Sequence, residues 1–228
     1  MLQSPSTSGN CEAGAARQCD MQDGKFITFE GIEGVGKSTN IDYLVELIEA
    51  HGHTVLQTRE PGGTPIAEDI RRILKEHGDE PMSDVAELLL MFAARSINVN
   101  NAIRPALAAG TWVVSDRFTD STRAYQGGAR GFPQASIEWL ADFVHGDLQP
   151  DLTILLDAPV ETAMQRAGRR GDPDRFEVEQ ADFFSKARET YLQLAAQEPE
   201  RFVVVDVSRD LDSVRADIGQ IATLLLSN

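Results

Sequence analysis

Apolar residues recur along this chain with two different periods, and the alternation of the two predicts strands and helices in turn. Short continuous apolar runs, which are typical of buried strands, occupy residues 26–29, 54–58, 111–115, 152–157 and 202–207. Apolar residues three or four positions apart, which are typical of amphipathic helices, occupy 39–51, 65–77, 83–109, 134–145, 159–167, 180–197 and 210–226. This succession predicts an α/β fold, a three-layer sandwich with a five-stranded parallel sheet covered on both faces.

Two features of the chain set the expected domain organisation. Residues 1–22 are rich in Ser, Gly, Ala and Gln and show no periodicity, so we expect a disordered leader or a non-native N-terminal extension there. Residues 23–228 contain no internal repeat and are expected to form a single domain. Within it, Pro105 is predicted to kink or divide the helical tract 83–109, because proline lacks the N–H that a helix needs and crowds the preceding turn.

Charge and cysteine content restrict the partners that we expect. The formal net charge of −15 argues against a nucleic-acid partner, because a polyanion is repelled by such a field. No apolar run approaches the ~20 residues that span a bilayer, so we expect no membrane partner. The two cysteines, Cys11 and Cys19, precede the first predicted strand, which fits a reducing, cytoplasmic compartment. A small anionic substrate fits this chain if the basic residues are gathered in one cleft.

Residues 31–39 carry the strongest chemical signal in the sequence. They follow a predicted strand, open a predicted helix and have the G-x-x-x-x-G-K-S spacing of a phosphate-binding loop. Glycines let several backbone N–H groups point at one anion, and the helix N-terminus adds more. Lys37 is expected to reach the β- and γ-phosphates, and the Ser38 hydroxyl to hold Mg²⁺. The predicted nucleoside triphosphate site comprises Gly31, Ile32, Glu33, Gly34, Val35, Gly36, Lys37, Ser38 and Thr39.

Further candidate residues follow the second and third predicted strands, at the sheet edge where open α/β sheets hold their ligands. Arg59 and Glu60 follow the second strand and precede a Pro-Gly-Gly turn. Asp116 follows the third strand. An acid in that position beside a phosphate-binding loop is a common contact of Mg²⁺ or of its waters, although a helix cap would use the same residue.

Two other segments carry groups that suit a nucleotide. Arg95 lies one helical turn beyond Met91 and Phe92, and a cation beside apolar side chains suits an aromatic monophosphate. The segment 121–128 combines hydroxyls, an amide and one aromatic ring. Such groups can read the edge of a base and the face of a sugar.

A short stretch is unusually rich in arginine for an acidic chain. Its basic residues, interleaved with glycine, are Arg166, Arg169, Arg170 and Arg175. A solvated loop is one interpretation. Beside a phosphate-binding loop, a mobile lid that closes over the triphosphate, at about residues 166–177, is the favoured interpretation.

Several classes of protein share a phosphate-binding loop, among them switch GTPases, motor-type ATPases and small-molecule kinases. No N-K-x-D element for selecting guanine occurs here, and the chain is short for a motor ATPase. No residue stands out as a general base. That is expected for a phosphate monoester acceptor, whose second pKa of about 6 leaves it ionised at neutral pH. A small-molecule kinase with an anionic acceptor is therefore favoured.

The combination of motifs resembles bacterial thymidylate kinases, from about residue 25 to the C-terminus. The matching stretches are 31–39, 59–64, 92–95, 116–118, 124–128 and the arginine-rich loop. The resemblance implies the P-loop fold of nucleoside monophosphate kinases, ATP as phosphoryl donor, Mg²⁺, and dTMP as acceptor. It also implies a homodimer.

The resemblance assigns roles to individual residues. The implied catalytic residues are Lys37, Arg117, Arg169 and Arg170. The implied metal contacts are Ser38, Asp116 and Glu60, and Arg166 is expected against adenine. The implied substrate contacts are Glu33, Arg59, Glu60, Met91, Phe92, Arg95, Arg117, Thr122, Tyr125 and Gln126.

Some of these roles are specific. Glu33 is expected at the 3′-hydroxyl, Thr122 at the pyrimidine, and Tyr125 under the sugar, where it would disfavour a 2′-hydroxyl. Many relatives stack thymine on a Phe four residues before the helix arginine. In this chain Met91 stands four residues before Arg95 and Phe92 stands three before it, so either side chain is a candidate for covering the base.

The catalytic arginine of this family lies either in the phosphate-binding loop or in the lid. This loop contains no arginine, so the resemblance points to the lid type, with Arg170 as the best match and Arg169 as a close rival. Two other functions stay open from the sequence: another nucleoside monophosphate or deoxynucleoside kinase, and a regulatory ATP-binding module that releases no ADP in response to an acceptor.

Overall fold

A computed structural model of the chain describes residues 24–76, 81–168 and 179–227. Its strands, β1 to β5 in chain order, are Phe26–Glu30, Val55–Arg59, Trp112–Asp116, Leu152–Asp157 and Phe202–Asp206. All neighbouring strands pair in parallel, in the order β2-β3-β1-β4-β5. The predicted five-stranded parallel sheet is therefore confirmed, and each predicted strand lies within one or two residues of the observed one.

Helices connect successive strands and cover both faces of the sheet. In the described part of the chain they are α1 to α9: Lys37–Ala50, Pro65–Lys75, Asp84–Asn98, Arg104–Ala108, Thr119–Thr122, Gln134–His145, Val160–Ala167, Ala181–Gln197 and Leu211–Ser227. Two π-helical segments, Val99–Ile103 and Arg123–Ala129, interrupt this series. None of the helices in the described ranges has the length and apolar character needed to cross a bilayer.

The predicted division of the tract 83–109 is observed, and it begins before the proline. Helix α3 ends at Asn98, the wider π segment follows, and Pro105 lies in the first turn of α4. A proline ring crowds the carbonyl four residues earlier and offers it no N–H. That carbonyl belongs to Asn101, inside the π segment, where the helical ladder is already irregular.

The two faces of the sheet carry separate apolar cores. Ile27 and Phe29 point to one face, where they pack in a cluster with Leu44 of α1. Phe26 points to the other face and packs with Val99, from the π segment after α3. Alternate residues of a strand face opposite sides of the sheet, and every residue of β1 is buried because helices cover both faces.

The strand order determines which side chains meet at the carboxyl edge of the sheet. Strand β1 lies at the centre, with β3 beside it and β2 beyond β3. Phe29 is in register with Asp116, and Asp116 is in register with Arg59. The loop after β1, the acid at the end of β3 and the residues after β2 therefore converge on one edge, as ligand sites of open α/β sheets do.

Candidate active site

The phosphate-binding loop lies between β1 and α1 and depends on glycine at more than one position. Gly31, Gly34 and Gly36 have φ angles of 131°, 81° and 86°, which L-residues with a side chain rarely adopt. At Gly34 there is also no room, since an added Cβ would lie 1.9 Å from the carbonyl oxygen of Ala163 in α7. The loop leads directly into α1, whose first residue is Lys37, so free N–H groups of the helix N-terminus face the same space.

Backbone carbonyl groups of the loop hold the Lys37 side chain. Its Nζ donates to the carbonyl oxygens of Gly31 and Ile32, at 3.1 and 3.2 Å. Burial, and after it the nearby Arg117 guanidinium, lower the pKa of Lys37 to about 8, while nearby carboxylates act in the opposite direction. A bound polyphosphate would favour the charged ammonium and so raise the pKa of Lys37. The lysine would therefore take up a proton when an anion binds.

An outer cavity at the end of β2 and β3 offers oxygen ligands for a cation. Ser38, Thr64 and Asp116 all line it. Asp116 Oδ1 and Thr64 Oγ1 are buried and accept or donate no hydrogen bond within the protein. Mg²⁺ prefers oxygen ligands and is usually held by one or two carboxylates together with phosphates. The residues present therefore fit the Mg²⁺ predicted at Ser38 and Asp116.

Arg59 and Glu60 lie in different cavities, although both follow β2. Arg59 lines the outer cavity and forms a bidentate pair with Glu68, with N–O distances of 3.0 and 2.8 Å. Glu60 is buried and lines the inner cavity described next. Of the adjacent pair predicted at the acceptor, only Glu60 faces that cavity.

The inner cavity is a half-open cleft of about 640 Å³, open solvent included, beside the phosphate-binding loop. It gathers four cationic side chains, Arg71, Lys75, Arg95 and Arg117, against two carboxylates, in a chain of net charge −15. The predicted residues that line it are Glu33, Glu60, Met91, Arg95, Arg117, Thr122, Tyr125 and Gln126. A cation-rich pocket of this size is suited to a small anionic ligand.

Arg117 joins the inner cavity to the phosphate-binding loop. Its Nη2 donates to Glu33 Oε1 at 2.8 Å and to Tyr125 Oη at 3.2 Å. Its Nη1 donates to Ser121 Oγ at 3.0 Å and to Tyr191 Oη at 3.1 Å. The backbone φ of Arg117 is 73°, a conformation that costs a residue with a side chain roughly 1–3 kcal/mol. These four hydrogen bonds hold the guanidinium in one orientation.

Tyr125 forms the wall between the loop and the cavity. Its hydroxyl donates to Glu33 Oε2 at 2.5 Å, and the Arg117 guanidinium lies 4.9 Å from its ring centroid. Both oxygens of Glu33 are therefore engaged by cavity residues. The two residues predicted to contact the sugar, Glu33 and Tyr125, are therefore in direct contact with each other.

Arg95 is buried at the cavity wall and has one donor unused. Its Nε donates to Glu60 Oε2 at 2.6 Å, and its Nη2 donates to Thr122 Oγ1 at 3.0 Å and to the carbonyl oxygen of Phe118 at 3.1 Å. Its Nη1 is buried without a hydrogen-bond partner in the protein. A buried guanidinium N–H of this kind is costly unless a ligand accepts from it, which supports the prediction of Arg95 at an anionic substrate.

Met91 and Phe92 differ in their packing. Met91 lines the inner cavity. Phe92 is 2% exposed and packs against Ile137 and Ala141 of α6, with the Arg95 guanidinium 4.8 Å from its ring centroid. Of the two candidates, Met91 lines the cavity, while the ring of Phe92 packs against the Arg95 guanidinium.

Two functional candidates were not predicted from the sequence. Arg71 belongs to the polar face of α2, which the periodicity assigns to solvent, yet it lines the inner cavity and donates to the Pro61 carbonyl oxygen at 2.8 Å. Burial lowers the pKa of its guanidinium. Lys75, one turn along the same helix, lines the cavity too. A polar helix face looks the same in sequence whether it meets water or an anionic pocket.

Glu30, the last residue of β1, is a further unpredicted candidate. It is fully buried and accepts from Phe118 N, Ser121 Oγ and Tyr191 Oη at 2.7, 2.6 and 2.8 Å. Burial, and then the nearby charge of Asp120, raise the pKa of its carboxyl to about 7. Its one sequence signal is an acid that ends an apolar strand.

The arginine-rich stretch is only partly described. Arg166 lies near the end of α7 and donates to the carbonyl oxygen of Val207 at 2.8 Å. Arg169 and Arg170, together with the rest of residues 169–178, lie outside the described residues. Their predicted catalytic role stays a prediction.

The state of Lys37 leads to a proton-linked binding prediction. With a pKa of about 8 in the free protein, Lys37 is half neutral at pH 8, and a bound triphosphate raises that pKa. We expect ATP binding at pH 8 to take up about half a proton, and uptake from this group to vanish near pH 6.5, where the lysine is already charged. Calorimetric titration in buffers of different ionisation enthalpy measures the uptake.

The matched control is Lys37→Arg, because arginine stays charged throughout this range. The variant is expected to show no uptake from position 37 at pH 8. Equal uptake by the two proteins, or none by the unmodified chain, would contradict the assignment.

Comparison with known proteins agrees with this geometry. The family model described as thymidylate kinase matches residues 29–218. Thymidylate kinase of Chromohalobacter salexigens is 55% identical over 201 residues, which cover 87% of this chain and 95% of that protein. The enzyme of Ectopseudomonas mendocina is 52% identical over 203 residues, which cover 89% and 97%.

A solved structure is similar along nearly its whole length. The crystal structure of thymidylate kinase from Ehrlichia chaffeensis superposes with a TM-score of 0.72 at 32% sequence identity, covering 88% of this chain and 99% of that one. The matched region includes the phosphate-binding loop from Gly31 onward and every residue of the inner cavity. This chain therefore belongs to the thymidylate kinase family.

Proposed function

We propose that this chain transfers the γ-phosphoryl group of ATP to dTMP, with Mg²⁺, and releases ADP and dTDP. The observation that carries the proposal is the inner cavity, a cation-rich pocket that meets the phosphate-binding loop at the ion pair of Arg117 with Glu33, 2.8 Å apart. Two anionic nucleotides can then lie end to end, with their phosphates between the loop and the cavity. Bringing such groups together in line is the main task in phosphoryl transfer.

On the donor side, the loop amides and Lys37 would hold the β- and γ-phosphates, and Arg166 would lie toward adenine. Ser38 and Asp116 would hold Mg²⁺, a role that the two unbonded oxygens in the outer cavity, Thr64 Oγ1 and Asp116 Oδ1, support. A bound Mg²⁺ would neutralise part of the negative charge on the phosphates. Arg170, or Arg169 beside it, would place a positive charge next to the phosphoryl group being transferred, as the family resemblance implies.

On the acceptor side, Arg71, Arg95 and Arg117 would hold the 5′-phosphate. The unused Nη1 of Arg95 supports this role, and Glu60 keeps that guanidinium in place. The proposal assigns no general base, because the acceptor phosphate is already ionised at neutral pH. The cations would offset the repulsion between the two nucleotides.

The remaining cavity residues would recognise the nucleoside. Met91 would cover the thymine ring, Thr122 and Gln126 would hydrogen-bond its edge, and Glu33 would contact the 3′-hydroxyl. Tyr125, whose hydroxyl is held 2.5 Å from Glu33, would leave no room for a 2′-hydroxyl. Arg59, in the outer cavity, would act near the metal and its waters.

The proposed reaction is tested by measuring acceptor-dependent ADP release with dTMP, dUMP, dCMP, AMP and GMP. We expect dTMP to give the highest kcat/KM, because the cavity combines hydrogen-bonding groups for a pyrimidine with a tyrosine beside the sugar. Fastest turnover on AMP or GMP would contradict the proposal. ADP release that no acceptor stimulates would point to a regulatory ATP-binding module instead.

Neighbouring arginines on α2 provide a matched test of the acceptor phosphate site. Arg71 lines the inner cavity, while Arg72 is exposed and pairs with Asp69 and Glu76. A charge-assisted hydrogen bond contributes about 1.5–3 kcal/mol, so Arg71→Gln is expected to lower kcat/KM for dTMP by on the order of 10- to 100-fold. Arg72→Gln is the control and should stay within about twofold of the unmodified chain. If both changes lowered kcat/KM equally, the assignment of Arg71 to the acceptor phosphate would be wrong.

We also propose that the chain acts as a homodimer through α3 and α6. Both helices expose large apolar side chains although they pack on each other through Leu88 and Ile137. The exposed residues and their exposed fractions are Val85, 56%, Leu89, 53%, Trp139, 64%, and Phe143, 75%. The rings of Trp139 and Phe143 stack with centroids 5.5 Å apart. A paired, exposed aromatic surface of this kind is typical of an association site.

Sedimentation velocity tests the dimer. The double change Trp139→Lys and Phe143→Lys is expected to shift the chain from dimer to monomer at micromolar concentration, because it puts like charges into a contact between two copies. Leu224→Lys, at an equally exposed position on α9, is the control and should leave the dimer intact. A dimer that survives the double change, or a monomeric unmodified chain, would contradict the proposal.

A cytoplasmic location completes the proposal. Residues 20–228 contain no cysteine, which fits a reducing compartment, and the proposed substrates belong to the nucleotide pool of the cell interior.

A further inference from the structure

Gln126 lines the inner cavity, and its side-chain amide can present either a hydrogen-bond acceptor or a hydrogen-bond donor to a ligand there. Turning its amide by 180° exchanges a carbonyl acceptor for an NH₂ donor with little change in shape. The orientation therefore decides which ligand groups the residue can recognise. In this chain the orientation is determined by neighbours that do not line the cavity.

The first neighbour is Glu87 of α3, which is fully buried. Gln126 Nε2 donates to Glu87 Oε1 at 2.8 Å. Arg130 Nε donates to the same oxygen at 2.9 Å, and Arg130 Nη2 donates to Glu87 Oε2 at 3.1 Å. Because a guanidinium occupies both oxygens, the carboxyl group acts only as an acceptor. The reverse orientation of Gln126 would set its carbonyl oxygen against this carboxylate.

Arg130 is itself held firmly. Its Nη2 also donates to Glu179 Oε1 at 2.9 Å, Asp84 lies 3.7 Å from its Nε, and its guanidinium lies 5.0 Å from the ring centroid of Phe183. A largely buried cation between carboxylates keeps its position, because each displacement would leave a charge without its partner.

Thr122, on the same wall, can supply a donor. Its Oγ1 accepts from Arg95 Nη2 at 3.0 Å, which occupies one of its two acceptor positions and leaves its hydroxyl proton to be donated to a ligand. The wall then offers a carbonyl acceptor from Gln126 beside a hydroxyl donor from Thr122. A thymine or uracil ring carries the complementary pair, an N–H at position 3 beside a carbonyl at position 4. Cytosine carries the reverse pair.

We infer that Glu87 and Arg130 are positioning residues that lock the Gln126 carbonyl toward the inner cavity and so select 4-oxo pyrimidines over 4-amino pyrimidines. The inference rests on the proposed function, since it needs the base of the acceptor to lie in this cavity. A site whose polar groups are fixed rejects the wrong ligand by leaving buried groups unpaired.

The test is the ratio of kcat/KM for dTMP to kcat/KM for dCMP. Glu87→Gln has the same shape, and its neutral amide pairs with Gln126 in either orientation. We expect the ratio to fall by about tenfold or more, with kcat/KM for dCMP rising in absolute value. The loss on dTMP is expected in KM more than in kcat, because base contacts form in the ground state and the transition state alike. If the change only weakened the structure, kcat/KM would fall for both substrates by a similar factor.

Arg130→Gln is the second variant, for use if Glu87→Gln does not fold by circular dichroism. It removes the charge that keeps Glu87 an acceptor, so the ratio is expected to fall in the same direction. Glu179→Gln is the control, because it removes the other acid on Arg130 and leaves the Glu87–Gln126 bond intact; its ratio should not change.

The outcomes separate the two proposals. An unmodified chain that does not turn over dTMP overturns the proposed function and this inference with it. An unmodified chain that prefers dTMP, together with folded Glu87→Gln or Arg130→Gln chains that keep the same ratio or lose both substrates in parallel, overturns the inference alone.

Discussion

The hydrogen bonds and ion pair around Arg117 are the interaction on which the rest of the site depends. This one guanidinium bonds the phosphate-binding loop through Glu33, the wall of the inner cavity through Tyr125, and helix α8 through Tyr191. These segments follow different strands or lie far apart in the chain, and the pairing of β1 with β3 ends before them, at Phe29 and Asp116. The donor and acceptor halves of the site therefore keep their relative position through side chains that are mostly buried.

Beneath Arg117 lies a second layer of polar groups, which explains why the strained backbone of that residue is tolerated. Glu30 ends the central strand and accepts from Ser121 and Tyr191, which also accept from Arg117. The carboxylate at the base and the guanidinium above it are thus bridged by the same two hydroxyls. Burial raises the pKa of Glu30 to about 7, above its value in the unfolded chain, so its contribution to the free energy of unfolding is fully present below about pH 4.5 and is lost as the pH rises through 7.

Features that repeat along the chain could be predicted from the sequence, while features that depend on contacts between distant segments could not. Periodicity predicted the five strands and the longer helices to within a few residues, but not α5 and the π segment Arg123–Ala129 that follows it. The spacing of Gly31, Gly36 and Lys37 identified the loop. The inward direction of Arg71 could not be predicted, because its helix face is polar in either environment. Met91 and Phe92 differ by only ~100° around a helix, and the packing of α6 against Phe92 turns Met91 to the cavity. The Glu87–Arg130–Gln126 contacts join residues about forty positions apart, beyond any local pattern.

The close approach of Gly34 to α7 affects how mutagenesis of the loop is interpreted. A methyl group at Gly34 would overlap the backbone of Ala163 and separate a helix from the loop, so inactivity of an alanine variant there would report lost packing as well as lost phosphate contact. Gly36 shares the left-handed backbone, but its nearest neighbour to an added Cβ is 3.7 Å away, at Asn40 Nδ2. A substitution at position 36 therefore tests the loop conformation alone. A substitution at position 34 also tests the packing of the loop against α7.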